Sequence, residues 1–510
     1  CIASAAAWGD LQSPAPAAPT TLWPRPLTAA SGDEAVPVMP GHTFFALETG
    51  KSLLLEAAFR RYARLTFPHV VAAGNGSAPP GGAVAVSALR LTVADLSEDH
   101  PQLDTDESYS LSVPEVGGAA IAHSRTVYGA LRALETFSQL VHFDFERGVY
   151  FVDRAPWNIQ DRPRFQHRGL MIDTGRHFLP LASMRRIIDS LPYAKLNVLH
   201  WHIVDLQSFP LESKSSPRLW EGSYSAMERY TQGDVESIVE YARLRGVRVM
   251  VEFDMPGHAQ SWCVGYPEVC PSPTCRMPLN LASESTFGLI EGLLSEMTGG
   301  KASAHGAPSG LFPEGFLHLG GDEVDTSCWT STPSVAAWLS AHNLTADGGY
   351  AYFVKRVAAI AIKQGRRPVQ WSEVFDHFKS SLPKEIVIHV WKSVTNVTEV
   401  VALGYDVLRN VGYNNVSWYL DNLDVMWDAV YQNDPCEGIP GDELCGRVLG
   451  GHGEMWGETV DGSDLEQTVW PRLASIAEKL WSSRAQTQDV ASALPRIRDF
   501  RCLLLERGVA

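Results

Sequence analysis

The chain is predicted to fold as an α/β protein, a (β/α)8 TIM barrel preceded by a smaller α+β domain, and three observations point there. Before the segment DRPRF (161–165), helical and strand-like stretches follow no regular order. After it, about eight strand-like runs recur, most of them followed by a helical segment, over a length typical of a closed barrel. Finally, 510 residues with 45% hydrophobic and 20% charged content exceed a single small domain and supply a large core, which excludes fibrous and wholly disordered chains.

Taken in order, residues 1–40 are rich in Pro, Ala and Thr and are expected to be an extended, poorly ordered arm. Residues 41–162 form the expected α+β domain. Helical periodicity covers 53–67, alternation marks strands at 83–95 and 108–113, and Ser124 is placed to cap a helix at 126–141 ahead of a strand at 143–153. The barrel is expected over 163–510. Its strands are 168–174, 196–205, 247–254, 316–323, 368–373, 386–391, 406–411 and 448–456. Helices are expected at 181–194, 234–246 and 350–365, and 465–483 closes the ring. A doubly wound open sheet is the alternative, but no Gly-rich phosphate turn follows the first strand.

The formal charge of −16 leaves no basic footprint for phosphates, so nucleic acid is excluded as a partner. No run reaches the ~18 apolar residues of a membrane span. The opening CIASAAAW lacks a charged start and reads as the remnant of a removed signal segment. Four sequons, at Asn75, Asn343, Asn396 and Asn415, are candidate glycosylation sites. Of the eight cysteines, Cys436 and Cys445 bracket a Pro/Gly-rich loop and read as a local disulfide. Either Cys275 or Cys270 is expected to bridge to Cys328. Together these features place the protein on the secretory route, in a lysosome or vacuole or outside the cell.

A barrel carries its chemistry at the carboxyl ends of its strands. Those ends read Asp173 with Arg176, His202 with Asp205, Glu252 with Asp254 and His258, Asp322 with Glu323, Trp371 with Glu373, Trp391, Tyr419 with Asp421, and Glu454, Trp456 and Glu458. Acids and tryptophans suit a sugar, because aromatic faces pack on pyranose C–H groups while carboxylates and Arg pair with hydroxyls. In HLGGDEVD (318–325), two glycines permit a tight turn and two acids follow at once. A solvated acidic turn is the plain alternative. Consecutive residues, with Cα atoms ~3.8 Å apart, struggle to flank one glycosidic bond as a nucleophile and acid pair does. One of the two is therefore read as the general acid, its proton retained beside an anion, and the other as an orienting group. If no protein carboxylate serves as nucleophile, the substrate is left as its source.

The stretches RGLMIDTGRHFLP, KLNVLHWHIVDLQSFP, EFDMPGH, HLGGDEVDTSCW, QWSEV, VWK, SWYLD and GHGEMWGETVD resemble the β-N-acetylhexosaminidases, family 20 of the glycoside hydrolases, of the lysosomal and secreted eukaryotic type. The resemblance implies exo-acting, retaining, substrate-assisted hydrolysis of terminal β-linked N-acetylglucosamine or N-acetylgalactosamine through an oxazolinium intermediate. It makes Glu323 the acid and base, Asp322 the clamp on the acetamido N–H, and Tyr419 the donor to the acetamido oxygen. Arg176, Glu458 and Asp421 would hold sugar hydroxyls. Trp371, Trp391 and Trp456 would line the acetamido pocket and ring, and Asp205 and His258 would hold these groups in place. It implies no cofactor and no metal, an oligosaccharide or glycoconjugate partner, and a homodimer formed through the barrel. Leu206 stands where relatives often carry a second acid, and Asn422 where some carry an Arg for charged sugars, which favours a neutral substrate. Two rivals remain at this point: a metal-dependent hydrolase using His200 and His202 with His258 or Asp322, and a catalytically silent carbohydrate-binding protein.

Overall fold

A computed structural model describes residues 21–69, 84–300, 310–411 and 416–509. The first unit is a mixed sheet of β1 (Thr28–Val38), β2 (Phe45–Leu47), β3 (Val86–Asp95), β4 (Tyr109–Val113), β5 (Gly118–Thr126), β6 (Val141–Asp144) and β7 (Val149–Asp161). Its strand order is β1-β3-β5-β4-β7-β6, with β2 beside β3 and β1 also paired to β7. Alternation sets the buried face, as in β4, where Tyr109, Leu111 and Val113 point inward. Helices Leu53–Thr66 and Val127–Leu140 pack on that face. The second helix is buried along almost its whole length, since its far side meets the barrel.

Two expectations are corrected here. The arm does not extend through residue 40: β1 runs antiparallel to β7, with Thr28 opposite Gln160. Ahead of it, Trp23 is buried and its indole N–H donates to the Ala474 carbonyl at 3.0 Å. The polar, Pro-containing composition of this stretch concealed a strand whose first eight residues keep largely exposed or half-buried faces. Ser124 is not the helix cap; it lies in β5, and the Thr126 side chain accepts from the Gly129 N–H instead.

The second unit is a closed parallel barrel in the order β10-β11-β12-β13-β14-β15-β8-β9. Its strands are β8 (His167–Asp173), β9 (Val198–Val204), β10 (Arg248–Phe253), β11 (Phe316–His318), β12 (Arg367–Trp371), β13 (Val387–Val390), β14 (Val407–Arg409) and β15 (Val448–Met455). The expected closing helix over 465–483 is split into Leu465–Val469 and Arg472–Trp481, because Pro471 has no N–H to continue the ladder. A further helix, Val490–Glu506, follows.

Inside the barrel, the period of two along each strand builds layers. At the base, Val198, Met250, Phe316, Val369, Val387 and Leu408 form an apolar plug. Two residues further along the same strands come His200, Glu252, His318, Trp371, His389 and Asn410, all fully or almost fully buried. One more step brings His202, Asp254, Gly320, Glu373 and Trp391 to the mouth. The interior thus changes from apolar to ionisable on the way to the strand ends.

Buried charge also joins the two units. Glu107, ahead of β4, accepts from Arg132 at 2.8 Å, from Arg168 at 2.7 and 2.8 Å and from Asn197 at 2.9 Å. Asp161, at the end of β7, accepts from Lys195 at 2.8 Å and Tyr109 at 2.6 Å. Glu107→Gln leaves two buried guanidiniums without their anion, and removing one member of such a group costs about 3–5 kcal/mol. The urea midpoint should fall accordingly, and an unchanged midpoint would remove Glu107 as the fastener between the units.

Candidate active site

The sharpest local geometry lies beyond β11. The strand stops at His318, earlier than the expected 323, because Gly320 and Gly321 adopt φ of 63° and 100° and turn the chain off the barrel. A Cβ on Gly320 would overlap the Asp254 carboxyl, and one on Gly321 would lie 2.7 Å from Val374 Cγ2. The Gly321 N–H donates to Asp254 Oδ1 at 2.9 Å, and Tyr350 donates to the Gly321 carbonyl. This turn delivers Asp322 and Glu323 into different surroundings. The Asp322 side chain is 8% exposed and that of Glu323 57%. Glu323 itself sits at φ 50°, a left-handed conformation costly for a residue with a Cβ, as does His258 across the cleft.

Arg176 dominates the opposite wall. It reaches Asp173 and Asp205 at 3.0 Å each and Glu458 at 3.7 Å, while its guanidinium lies 5.1 Å over the Trp456 ring. Asp205 also accepts from His258 Nδ1 at 3.1 Å. The other nitrogen of His258 lies 3.5 Å from Glu323 and 3.8 Å from Asp322. Arg176, Asp205, His258, Asp322 and Glu323 are therefore one connected group.

The third wall comes from residues 418–421, which run beside β15 through paired backbone bonds: Leu420 N–H to the Glu454 carbonyl at 2.7 Å, and Glu454 N–H to the Trp418 carbonyl at 2.9 Å. Arg472 buttresses this segment by donating to the carbonyls of Leu420, Asn422 and Val425. It presents Tyr419, stacked on Trp391 with ring centroids 6.1 Å apart, and Asp421. Trp391 donates to Glu373 at 2.7 Å, and Lys392 pairs with the same carboxylate. Trp371 forms the floor, 1% exposed, 5.9 Å from Trp456 and bonded to Glu252 at 2.8 Å. Asp322 Oδ1 and Asp421 Oδ1 are buried without a hydrogen-bond partner among the described residues, as acceptors awaiting a ligand's donors would be.

The cleft arranges its protons unequally. The anion of Asp322 was expected to keep a proton on Glu323. Instead, the hydrogen bond from His258 holds Glu323 below the ordinary carboxylate range, and it is Asp254 that burial and the Asp322 charge push well above it. The difference follows from exposure: Glu323 faces solvent and an imidazolium, whereas Asp254 lies under the turn. His258 is raised despite its burial, through Asp254 and Asp322. Burial, with Glu454 and Asp322, keeps the Tyr419 phenol a donor at all working pH. Burial pushes Asp421 up to about 6 and Glu373 up to about 7, the latter assisted by Asp322.

All the residues singled out from the sequence as catalytic or sugar-binding thus gather at one end of the barrel. Glu252, Asp254 and Glu373 stand at strand ends without a role legible in the sequence, and His202 is legible there only as a metal ligand; two histidines at alternate positions of an otherwise apolar strand are the available signal. Four clusters have metal-like ligand spacing: His200/His389/His452, His200/Glu252/His318, His202/Glu252/Asp254 and Asp254/His258/Asp322. The metal alternative needed His200 and His202 together with His258 or Asp322, and among the described residues none of these clusters combines the two histidines.

Disulfides frame the rim. Cys275 pairs with Cys328 (Cα–Cα 5.6 Å), tying the loop after β10 to the helix that follows the acidic turn. Cys263 pairs with Cys270 and Cys436 with Cys445, and Cys502 is also disulfide-bonded. Asn343 and Asn396 are exposed, whereas Asn75 and Asn415 lie outside the described residues.

The profile described as "Glycosyl hydrolase family 20, catalytic domain" matches residues 165–484, and one described as "beta-acetyl hexosaminidase like" matches 22–140. The chain belongs to glycosyl hydrolase family 20. It is 45% identical to Beta-hexosaminidase 1 of Arabidopsis thaliana, over 98% of this chain and 92% of that protein. Beta-hexosaminidase subunit beta of Felis catus is 36% identical, with 97% and 93% covered. A solved chitobiase of Flavobacterium johnsoniae superposes with a TM-score of 0.81 at 28% identity, over 96% of this chain and 73% of that one. The protein is a glycoside hydrolase, and the cleft described above lies within the matched catalytic region.

The raised Glu373 makes a stability prediction. Its carboxyl rises from an ordinary 4.5 to about 7 on folding, so between those values the native state binds more protons than the unfolded chain and stability falls as pH rises. Glu373→Gln removes this term. Its melting temperature relative to the parent should rise from pH 5 to pH 8 in thermal scans; a difference that shrinks with pH would contradict the burial argument.

Proposed function

We propose that the enzyme removes terminal, non-reducing β-linked N-acetylglucosamine or N-acetylgalactosamine with net retention, the substrate's own acetamido oxygen attacking C1. The observation that carries this reading is the pair of consecutive acids with opposite exposure. Asp322, buried with a free acceptor, is suited to hold the acetamido N–H and the positive charge that develops as the oxazolinium ring closes. Glu323, open to the cleft, is suited to protonate the leaving oxygen and then to activate water. Tyr419, a permanent donor, supports the acetamido oxygen, and Trp371, Trp391 and Trp456 enclose the methyl end and the ring. Arg176, Glu458 and Asp421 take the outer hydroxyls, with Asp205 and His258 behind them.

The proton needed by Glu323 has a source beside it. His258 lies 3.5 Å away and is charged. A sugar that fills the cleft strips water from Glu323, which raises its affinity for the proton that His258 holds. The relatives in Arabidopsis thaliana and Felis catus, both named beta-hexosaminidases, support this substrate class. The relatives named as subunits support a dimer. The three described disulfide pairs and the exposed Asn343 and Asn396 support passage through the secretory route to a lysosome, a vacuole or the exterior.

Aryl β-N-acetylglucosaminide and N-acetylgalactosaminide should be cleaved, and the matching aryl β-glucoside left intact. Glu323→Gln and Asp322→Asn should each lower kcat by about 10²–10⁴-fold. Full turnover by either variant, or equal rates on the plain glucoside, would overturn the assignment.

A further inference from the structure

His202 stands on β9 where the ionisable layer of the barrel meets the cleft, and it is completely buried. Its Nδ1 lies 2.8 Å from Glu252 Oε2 and its Nε2 lies 2.7 Å from Asp205 Oδ2. A neutral imidazole has one ring proton and can donate to only one of these carboxylates; the second contact would set a lone pair against an anion. Neither carboxylate is placed to carry the missing proton. Glu252 accepts from Trp371 Nε1 at 2.8 Å and also faces His200 Nε2 at 2.8 Å and His318 Nδ1 at 3.1 Å. Asp205 faces Arg176 at 3.0 Å and His258 at 3.1 Å. Each carboxylate thus already has a fixed donor besides His202, the Trp371 indole for Glu252 and the Arg176 guanidinium for Asp205, as a buried anion requires.

We propose that His202 is a fixed imidazolium and a positioning residue, whose single charge locks the hydroxyl-binding wall of the cleft to its acetamido floor. On one side it holds Asp205, which orients Arg176 and His258. On the other it holds Glu252, which orients Trp371. The edge of its ring meets Trp456, with centroids 5.1 Å apart, so both cleft tryptophans of this corner depend on it. Its acidity agrees: although burial opposes the charge, Glu252 and Asp205 hold it well above the usual imidazole range. Asp173 from the neighbouring strand end adds negative charge, Asp254 beside Glu252 is the acid that burial and Asp322 keep protonated, and Arg176 and His258 are the cations facing it across Asp205.

Removing that charge makes the site depend on pH in a way that a packing defect does not. His202→Gln retains a donor for one carboxylate, but leaves Asp205 and Glu252 one positive charge short in a buried space. Such a site recovers by taking up a proton on one of the two acids, and loses that proton as pH rises. The deficit of the variant should therefore grow with pH. The activity experiment rests on the proposed function and compares kcat/KM of parent and His202→Gln on an aryl N-acetylglucosaminide from pH 5 to pH 8. We expect the variant's shortfall to widen at least about tenfold across this range, the change that one unit of pKa difference produces, with KM carrying much of it. A shortfall of constant size would overturn the charge role. Neutron diffraction on the unmodified enzyme at pH 5 and pH 8 decides the matter whether or not the variant folds and whatever the substrate is. Both ring nitrogens of His202 should carry a hydrogen at both pH values, and a singly protonated ring would overturn the proposal.

Discussion

The close approach of Gly320 and Gly321 to Asp254 is the contact on which the site depends. Space for a side chain is lacking on one side, where the Asp254 carboxyl lies, and on the other, where Val374 lies. The backbone must pass between them in a conformation that only glycine adopts cheaply. The bond from Gly321 N–H to Asp254 then fixes the next two residues, so that Asp322 turns under the cleft and Glu323 out into it. Two acids that are neighbours in sequence thereby enter different surroundings, one buried and one open to the cleft. Such a pair is poorly placed to stand on both sides of a glycosidic bond, which is why the function proposed above gives the nucleophile's part to the substrate.

Holding so many ionisable groups in a barrel interior requires that nearly every charge meet an opposite one. Glu252, Glu454 and Asp205 are each held below the ordinary carboxylate range by imidazoles, against the burial that would raise them. Where the compensation is incomplete, at Asp254, Glu373 and Asp421, the acid is raised instead. Asp254 lies beneath the acidic turn, and Glu373 and Asp421 lie in the walls of the cleft. An active site that keeps free acceptors and strained backbone at Glu323 and His258 is less stable than it could be.

The barrel was legible because its strands alternate with helices and end in chemistry-bearing residues; the motif HLGGDEVD announced both the turn and the acids. Adjacency of Asp322 and Glu323 by itself argues against a paired-carboxylate mechanism. What the sequence hid is mostly three-dimensional. The proton held beside Asp322 belongs to Asp254, 68 positions before it in the chain, and strand pairing alone brings them together. His202 reads in the sequence as one of two similar histidines near Asp205, and only the register of β9 against β10 brings Glu252 to its other side. β1 was missed because its composition resembles a linker, and its partner β7 is more than a hundred residues away. The choice between Cys270 and Cys275 as the partner of Cys328 likewise waited on where the loop after β10 folds back.

The participation of the acetamido group is tested most directly by weakening it. In a series of aryl glycosides whose 2-acetamido methyl carries none, one, two or three fluorines, each fluorine lowers the nucleophilicity of the amide oxygen while the leaving group stays the same. If that oxygen attacks C1, log kcat/KM should fall steeply and steadily along the series. A flat dependence would mean that a protein carboxylate or water performs the attack, and the account built on Asp322 and Glu323 would be wrong.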